Sequence, residues 1–234
     1  MIKFTFIRKL VDNRDVDTYA TYLRKKRFAI FQSLLSSIPR PLRILDIGGT
    51  QLFWEQMGFN CEVDIQVVLL NPLPIKVSFS NYIGLIGDGR EMPYFRDKEF
   101  DVVFSNSVIE HVGGYDDQHQ MANEIKRVGK RYFLQTPNRF FPIEPHFLFP
   151  FFQFLPLSIR VFLLSHFNMG WFERIPDKLK AKEVANSVRL LSEKEIKVLF
   201  SNAYIHKENF LGLTKSFAVY SGWEQQKTFM RLPK

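Results

Sequence analysis

Three polar residues end apolar stretches of the chain and could together bind a polar ligand. Asp46 stands two residues before the pair Gly48-Gly49 in "ILDIGGTQ", Asn71 ends "VDIQVVLLN", and Asp88 lies in "YIGLIGDG". Glycine has no Cβ, so the backbone at such a turn can approach a ligand closely. In a doubly wound sheet, ligands bind beyond the carboxyl ends of the strands. The three stretches therefore predict a ligand site at one edge of a sheet.

A histidine follows the fourth apolar stretch and could remove a proton. His111 lies in "SNSVIEHV", and an unperturbed imidazole, with a pKa of about 6.5, is a suitable general base. The alternative is that Glu110 and His111 only shape the start of a helix. One Glu-His pair supplies too few ligands for a metal ion, so we predict no metal site.

The elements that must position these residues are short strands alternating with helices. Near-continuous apolar runs of this kind imply a parallel sheet covered on both faces. Further along, "LLSEKEIKVLF" predicts a helix with Ser192 as N-cap and Glu195 as its capping-box partner. The stretches "YIHKENF" and "LTKSFAVYSGW" then predict an antiparallel strand pair at the sheet edge.

The ordered set "ILDIGGTQ", Asn71, "GDGREMP" and "FDVVFSNSVIEHV" resembles the class I S-adenosylmethionine-dependent methyltransferases. It is similar to the type 11 branch, which includes small-molecule and quinone methyltransferases, and the resemblance covers residues 44 to about 138. It implies an α/β fold with a Rossmann-like, seven-stranded, mostly parallel sheet, an antiparallel C-terminal strand pair and helices on both faces. It also implies S-adenosylmethionine as the cofactor.

The resemblance assigns roles to single residues. Asp46 would orient the glycine turn and the cofactor amino group, Asn71 would bind the ribose hydroxyls, and Asp88 would accept from the adenine amino group. The full set implied for the cofactor is Asp46, Gly48, Gly49, Thr50, Asn71, Asp88, Gly89, Arg90, Asn106 and Ser107. Two departures weaken the match: the turn reads "GGTQ" where the family has a fuller glycine pattern, and Asn71 stands where an acid is usual.

A nicotinamide-dependent dehydrogenase is a poorer match. After Gly48-Gly49 the next glycine is Gly58, so the G-x-G-x-x-G fingerprint is absent.

Residues 138–191 form a long segment that we predict to be a helical hydrophobic cap inserted after the fifth strand. Its polar members Arg139, Glu144 and His146 are the predicted substrate-binding residues; the alternative is that they only stabilise the loop by hydrogen bonds. The stretch "FLFPFFQFLPLSIRVFLLSHF" contains prolines and an arginine, which argue against a membrane span. Two interpretations remain, a buried cap helix and an element that dips into a bilayer.

Charge and cysteine content limit the partners. The net charge is +8, and residues 1–43 hold ten Lys/Arg against three Asp/Glu. The run Arg24 to Arg27 is either a solvated helix face or a contact for an anionic membrane or acidic substrate. No nucleic-acid motif accompanies it. A single cysteine, Cys61, and an N-terminus without signal-peptide features predict a cytoplasmic protein.

We therefore expect a single methyltransferase domain over residues 1–234. The expected activity is methyl transfer from S-adenosylmethionine to an oxygen of a small or lipid-like acceptor, with peripheral membrane contact as an option. The alternative is a non-catalytic protein that keeps the fold and binds a membrane surface or a partner. The oligomeric state is not predicted.

Overall fold

The computed structural model describes residues 18–59 and 64–223. Cys61 and the part of the basic segment before Thr18 lie outside this range. A seven-stranded sheet has the strand order β3-β2-β1-β4-β5-β9-β8. Its strands are β1 (Leu42–Ile47), β2 (Ile65–Asn71), β3 (Tyr82–Ile86), β4 (Val102–Asn106), β5 (Tyr132–Pro137), β8 (Tyr204–Phe210) and β9 (Leu213–Ser221).

The first five strands pair in parallel, and β9 is antiparallel to both β5 and β8. This confirms the predicted sheet and its antiparallel C-terminal pair. Strand order reverses between β1 and β4, which makes the carboxyl ends of these strands the expected ligand edge.

Helices cover both faces of the sheet, as predicted. They are α1 (Tyr19–Leu35), α2 (Gln51–Gln56), α3 (Tyr115–Val128), α4 (Leu157–His166), α5 (Lys178–Asn186) and α6 (Glu193–Leu199). One apolar cluster includes Phe31 and Trp54 from α1 and α2, and the other includes Met121 and Ile196 from α3 and α6. Ser192 caps α6 in the predicted capping box with Glu195.

Helix α1 differs in part from the prediction. Thr18 caps it, and Phe28, Phe31, Leu34 and Leu35 are buried as expected, but Tyr22 is 57% exposed. The basic run is also divided: Arg27 forms an ion pair with Glu208 of β8 at 3.0 Å, both side chains being nearly buried. Arg24 lies over the Phe53 ring. Lys25 and Lys26 are left as the exposed cations of this run.

Residues 138–191 have an apolar cluster of their own, formed by Phe147, Phe152, Leu164, Met169, Ala181 and Ala185. The segment leaves the sheet and returns to it at one place, where Asn138 and Leu191 form a parallel bridge. Arg139 N–H also donates to the Leu191 carbonyl at 3.0 Å. Two very short strands, β6 (Ile143–Glu144) and β7 (Phe149–Pro150), form a hairpin that the sequence did not predict.

Candidate active site

The glycine turn after β1 is built around the buried carboxylate of Asp46. Asp46 is 1% exposed, and its Oδ2 accepts a hydrogen bond from Trp54 Nε1 at 2.7 Å. A Cβ at Gly49 would lie 1.6 Å from that oxygen, so no larger residue fits there. Gly48 has a φ of +77°, and a Cβ on it would meet Val108 at 2.5 Å. Burial raises the pKa of Asp46 to about 8, which the Trp54 hydrogen bond partly opposes.

Asn71 and Thr50 hold the same turn from either side. Asn71, at the end of β2, donates from Nδ2 to the Gly49 carbonyl at 2.8 Å. An aspartate could not donate this bond, so the asparagine that departs from the family pattern has a local structural role. Its Oδ1 keeps the capacity to accept from a ligand hydroxyl. Thr50 accepts from Phe53 N–H at 3.3 Å and caps α2.

Asp88 and Arg90 form an ion pair after β3. Arg90 Nη2 donates to Asp88 Oδ2 at 2.6 Å, and its Nη1 donates to Asp117 Oδ1 at 2.8 Å. The side-chain hydrogen bond from Arg90 lowers the pKa of Asp88. Asp88 remains 46% exposed along its side chain, so it can accept a further hydrogen bond. Gly89 is buried against Ile47, which a Cβ would approach to 2.7 Å.

Ser107 turns the chain sharply after β4. Its φ is +57°, a conformation that costs free energy in a non-glycine residue and is often found at functional sites. Gln135 of β5 holds it there: Ser107 N–H donates to the Gln135 carbonyl at 2.9 Å, and Ser107 Oγ donates to Gln135 Oε1 at 2.6 Å. Asn106, the last residue of β4, is half-buried beside this turn.

A cluster of titratable residues lies beside this turn, next along the sheet edge. We call it the acceptor cluster and define it as Glu110, His111, Glu144 and His146. Glu110 and His111 belong to a 3₁₀ turn, Ile109–His111, that follows β4. His146 comes from the β6–β7 hairpin, and its ring stands edge-on to His111 with centroids 4.7 Å apart. Of the three predicted substrate residues, Glu144 and His146 therefore join His111.

The acceptor cluster is held by hydrogen bonds. Glu144 is 2% exposed and accepts from the His146 and Phe147 N–H groups at 2.8 and 2.7 Å. Glu144 Oε1 also lies 2.7 Å from His146 Nδ1. Glu110 is fully buried, and its Oε2 accepts from Thr136 Oγ1 at 3.0 Å.

These contacts shift the pKa values of the cluster in different directions. Burial raises the pKa of Glu110 to about 7, and the charge of His146 opposes this. Partial burial lowers the pKa of His111 to about 4, and the neighbouring His146 adds to this effect. For His146, burial lowers the pKa, but the hydrogen bond to Glu144 and the charges of Glu144 and Glu110 together raise it more, so the net shift is upward.

Arg139, the third predicted substrate residue, has different neighbours. Its guanidinium lies over the Phe154 ring at 5.8 Å and 3.9 Å from Glu195 Oε1.

Sequence reasoning overlooked Glu110 as a site residue. The pair "EH" drew attention to the histidine, whereas the burial of Glu110 depends on Thr136, 26 residues further on. It also overlooked Trp54, whose indole N–H is the partner of Asp46.

A separate open groove of about 720 Å³ lies on the far part of the cap, between Trp171 and Val184. It contains none of the residues predicted to bind cofactor or substrate. Among the described residues, no helix combines the length and the apolar character that a membrane span requires.

Comparisons with known proteins agree with this geometry. Residues 54–132 match the family described as "Methyltransferase domain". Two uncharacterized proteins from two strains of Mycobacterium tuberculosis are 37% identical over 68 residues, which is 29% of this chain and 23% of theirs. The matched segment thus spans less than a quarter of those relatives.

Among solved structures, the CurJ carbon methyltransferase aligns with 92% of this chain and 57% of its own, with a TM-score of 0.56 and 12% identity. That likeness concerns the fold. The matched segment runs from α2 to the start of β5, so about a third of the chain is similar to that methyltransferase family.

Proposed function

We propose that this protein transfers the methyl group of S-adenosylmethionine to an oxygen of a small or lipid-like acceptor. The observation that carries the proposal is the arrangement along one sheet edge. The glycine turn follows β1, Asn71 ends β2 and Asp88 follows β3. On the other side of the glycine turn, Glu110 and His111 of the acceptor cluster follow β4.

The residues at the first three strand ends suit an adenosyl group. The turn at Gly48 and Gly49 presents only backbone atoms, so a ligand can approach it closely. A Cβ at either position would overlap a neighbouring side chain. Asn71 Oδ1 offers an acceptor for ribose hydroxyls, and the exposed carboxylate of Asp88 offers one for an amino group. Gly89 and Arg90 would flank the adenine through their backbone. The turn at Asn106 and Ser107 would face the methionine end.

The bound cofactor supplies an electrophilic methyl group on a sulfonium. The protein then has to hold the acceptor oxygen in line with it, and such positioning is worth about 7–11 kcal/mol in well-oriented reactions. His111 is the residue that we place against the acceptor, because it lies past the end of β4 and is exposed.

Binding of S-adenosylhomocysteine, measured by calorimetry, tests the cofactor half. The change Asn71→Ala should weaken binding roughly fivefold, because a hydrogen bond worth about 1 kcal/mol is lost. The matched control is Asn81→Ala: Asn81 Nδ2 also donates to a backbone carbonyl, that of Ile65, at 3.3 Å, but it lies before β3, at the opposite sheet edge.

Two results would contradict the cofactor site. Equal weakening by both variants would show that Asn71 acts only through stability. No binding to the unmodified protein at millimolar ligand would favour the non-catalytic alternative, in which the fold is used to bind a membrane or a partner.

The acceptor half is tested by release of S-adenosylhomocysteine with small and lipid-linked phenols and sugars as acceptors. His111→Gln should lower the rate at saturating cofactor without changing cofactor affinity. Loss of cofactor affinity in this variant would contradict the proposal, because it would mean that His111 contacts the cofactor and not the acceptor.

The surface of the cap favours a lipid-like acceptor. Six large apolar residues of this segment are 44–64% exposed, namely Phe140, Phe151, Phe154, Ile159, Phe162 and Phe167. Exposed aromatic side chains of this kind are typical of interfacial contact with a bilayer. We propose that this surface rests on an anionic membrane, from which the acceptor would be taken.

Vesicle flotation tests the membrane contact. Full-length protein should float with vesicles of phosphatidylcholine and phosphatidylserine at low salt, and the double change Phe151→Ser with Phe162→Ser should reduce the floated fraction. Leu211→Ser, an 86% exposed position on the β8–β9 hairpin, is the control. Absence of flotation, or equal flotation of the double variant, would refute the contact.

A further inference from the structure

We infer that Glu110, His111 and His146 bind a divalent transition-metal ion, zinc above all, beside the acceptor. One ligand atom from each of the three side chains lies within 4.8 Å of the other two. The sequence predicted no metal, because it showed only the adjacent pair Glu110-His111. The third ligand comes from the cap, 35 residues later, and only the fold brings it into place. The inference rests on the proposed function for its chemical role, but not for metal binding itself.

Glu110 gives the first reason. Its side chain is fully buried, and Thr136 satisfies only Oε2. Oε1 is buried and has no hydrogen-bond partner. A buried polar atom without a partner is costly and rare in folded proteins. A cation bound to this oxygen would remove that cost.

His146 gives the second reason. Its Nδ1 faces the carboxylate of Glu144 at 2.7 Å. A carboxylate accepts hydrogen bonds, so Nδ1 carries the proton and Nε2 is left as the ligand atom. Histidine ligands of metal ions usually donate their other nitrogen to a carboxylate or a carbonyl, which fixes the ring. Glu144 is itself fixed by two backbone N–H groups.

His111 gives the third reason. Its ring stands edge-on to the His146 ring, with centroids 4.7 Å apart, and the residue is exposed. Glu110 and His146 each have one atom held by the protein. A ligand atom of each of these two residues lies within 4.8 Å of a ligand atom of His111.

The donor atoms select the metal. Two imidazoles and one carboxylate suit zinc and related transition metals, whereas magnesium and calcium prefer oxygen ligands. Ligands sit about 2.0–2.2 Å from zinc, so two of them are at most about 4.4 Å apart. The three ligand atoms lie within 4.8 Å of one another, which is close to this spacing. Three protein ligands also leave a position open, as in catalytic zinc sites.

The open position gives the ion its role. An acceptor hydroxyl bound there would have its pKa lowered, as a zinc-bound water does, and would release its proton to solvent. The oxygen would then form a bond to the methyl carbon while the carbon–sulfur bond breaks and its electron pair returns to sulfur. In this scheme His111 is a metal ligand, not the general base that the sequence suggested.

Zinc titration of chelator-treated, tag-free full-length protein, in competition with a chromogenic chelator, tests the inference. Cys61→Ser serves as the background, so that the thiol contributes nothing. We expect one zinc ion per chain, with affinity lowered roughly tenfold or more by Glu110→Gln and by His146→Asn. Glu144→Gln should lower affinity by about 10–100-fold, the usual effect of changing a residue that orients a ligand.

His119→Asn is the matched control, because His119 is exposed on α3 and contacts only Asn123 among the interactions described for its ring. No zinc binding, or binding that survives both Glu110→Gln and His146→Asn, would overturn the inference. Thermal melting and S-adenosylhomocysteine binding are measured on each variant. Retained cofactor binding without zinc binding defeats the metal site alone, whereas zinc binding without cofactor binding defeats the methyltransferase proposal alone.

Discussion

Replacing Asp46 by asparagine should change how the stability of the protein depends on pH. Asp46 is 1% exposed, and burial raises its pKa from 3.8 to about 8, against the opposing effect of Trp54. The folded protein therefore keeps a proton on Asp46 that the unfolded chain loses above about pH 4. The contribution that this proton makes to the free energy of unfolding is fully present below about pH 4 and is lost as the pH rises to 8.

The size of the effect follows from these two pKa values. One pKa unit corresponds to about 1.4 kcal/mol, so the free energy of unfolding should fall by about 3–4 kcal/mol between pH 5 and pH 8 because of Asp46 alone. Asparagine has nearly the same shape, can still accept from Trp54 Nε1, and carries no titratable proton. The variant should therefore be more stable than the unmodified protein at pH 8, and the difference should shrink toward pH 5.

Urea unfolding of both proteins at pH 5, 6.5 and 8 measures this difference. Comparing the variant with the unmodified protein at each pH cancels the titration of Glu110, His111 and His146, which is common to both. A stability difference that stays constant across the three pH values would refute the reasoning, because it would mean that Asp46 is ionised in the folded protein.

Three further substitutions test the packing of the site and of the helix before it. Gly49→Ala should abolish S-adenosylhomocysteine binding and lower the melting temperature, because the new methyl group collides with Asp46 Oδ2; unchanged melting would contradict the buried position of that carboxylate. Asn71→Asp should cost about 1 kcal/mol or more in urea unfolding, because the bond to the Gly49 carbonyl is lost. Arg27→Ala should cost about 3–5 kcal/mol, because Glu208 is left buried without its partner, and a loss below about 1 kcal/mol would show a surface pair.

The sheet could be predicted because each strand is indicated by its own short stretch of sequence. Runs such as "VVLL" and "VVF" are continuously apolar, as is typical of strands buried on both faces. The capping box at Ser192 and Glu195 lies within four residues. Such signals need no knowledge of the rest of the fold, and the family resemblance added the number of strands and the cofactor.

The acceptor side was less predictable because its contacts join distant parts of the chain. Glu110 looked like the start of a helix until Thr136 and His146 were placed beside it. The β6–β7 hairpin has two residues in each strand, too few to show any periodicity. Arg27 looked like part of a solvated run, and its burial depends on Glu208, 181 residues away.

The bridge between Asn138 and Leu191 has a consequence for how proteins with this fold could diversify. Since the inserted segment departs from and rejoins the scaffold at a single point, it can be lengthened, trimmed or exchanged by recombination without shifting the register of any neighbouring strand. Under the proposed function, selection could thus alter the choice of acceptor while the residues at the ends of β1, β2 and β3 stayed the same. A replacement segment would still have to supply an imidazole at the position of His146, because this residue belongs to the acceptor cluster.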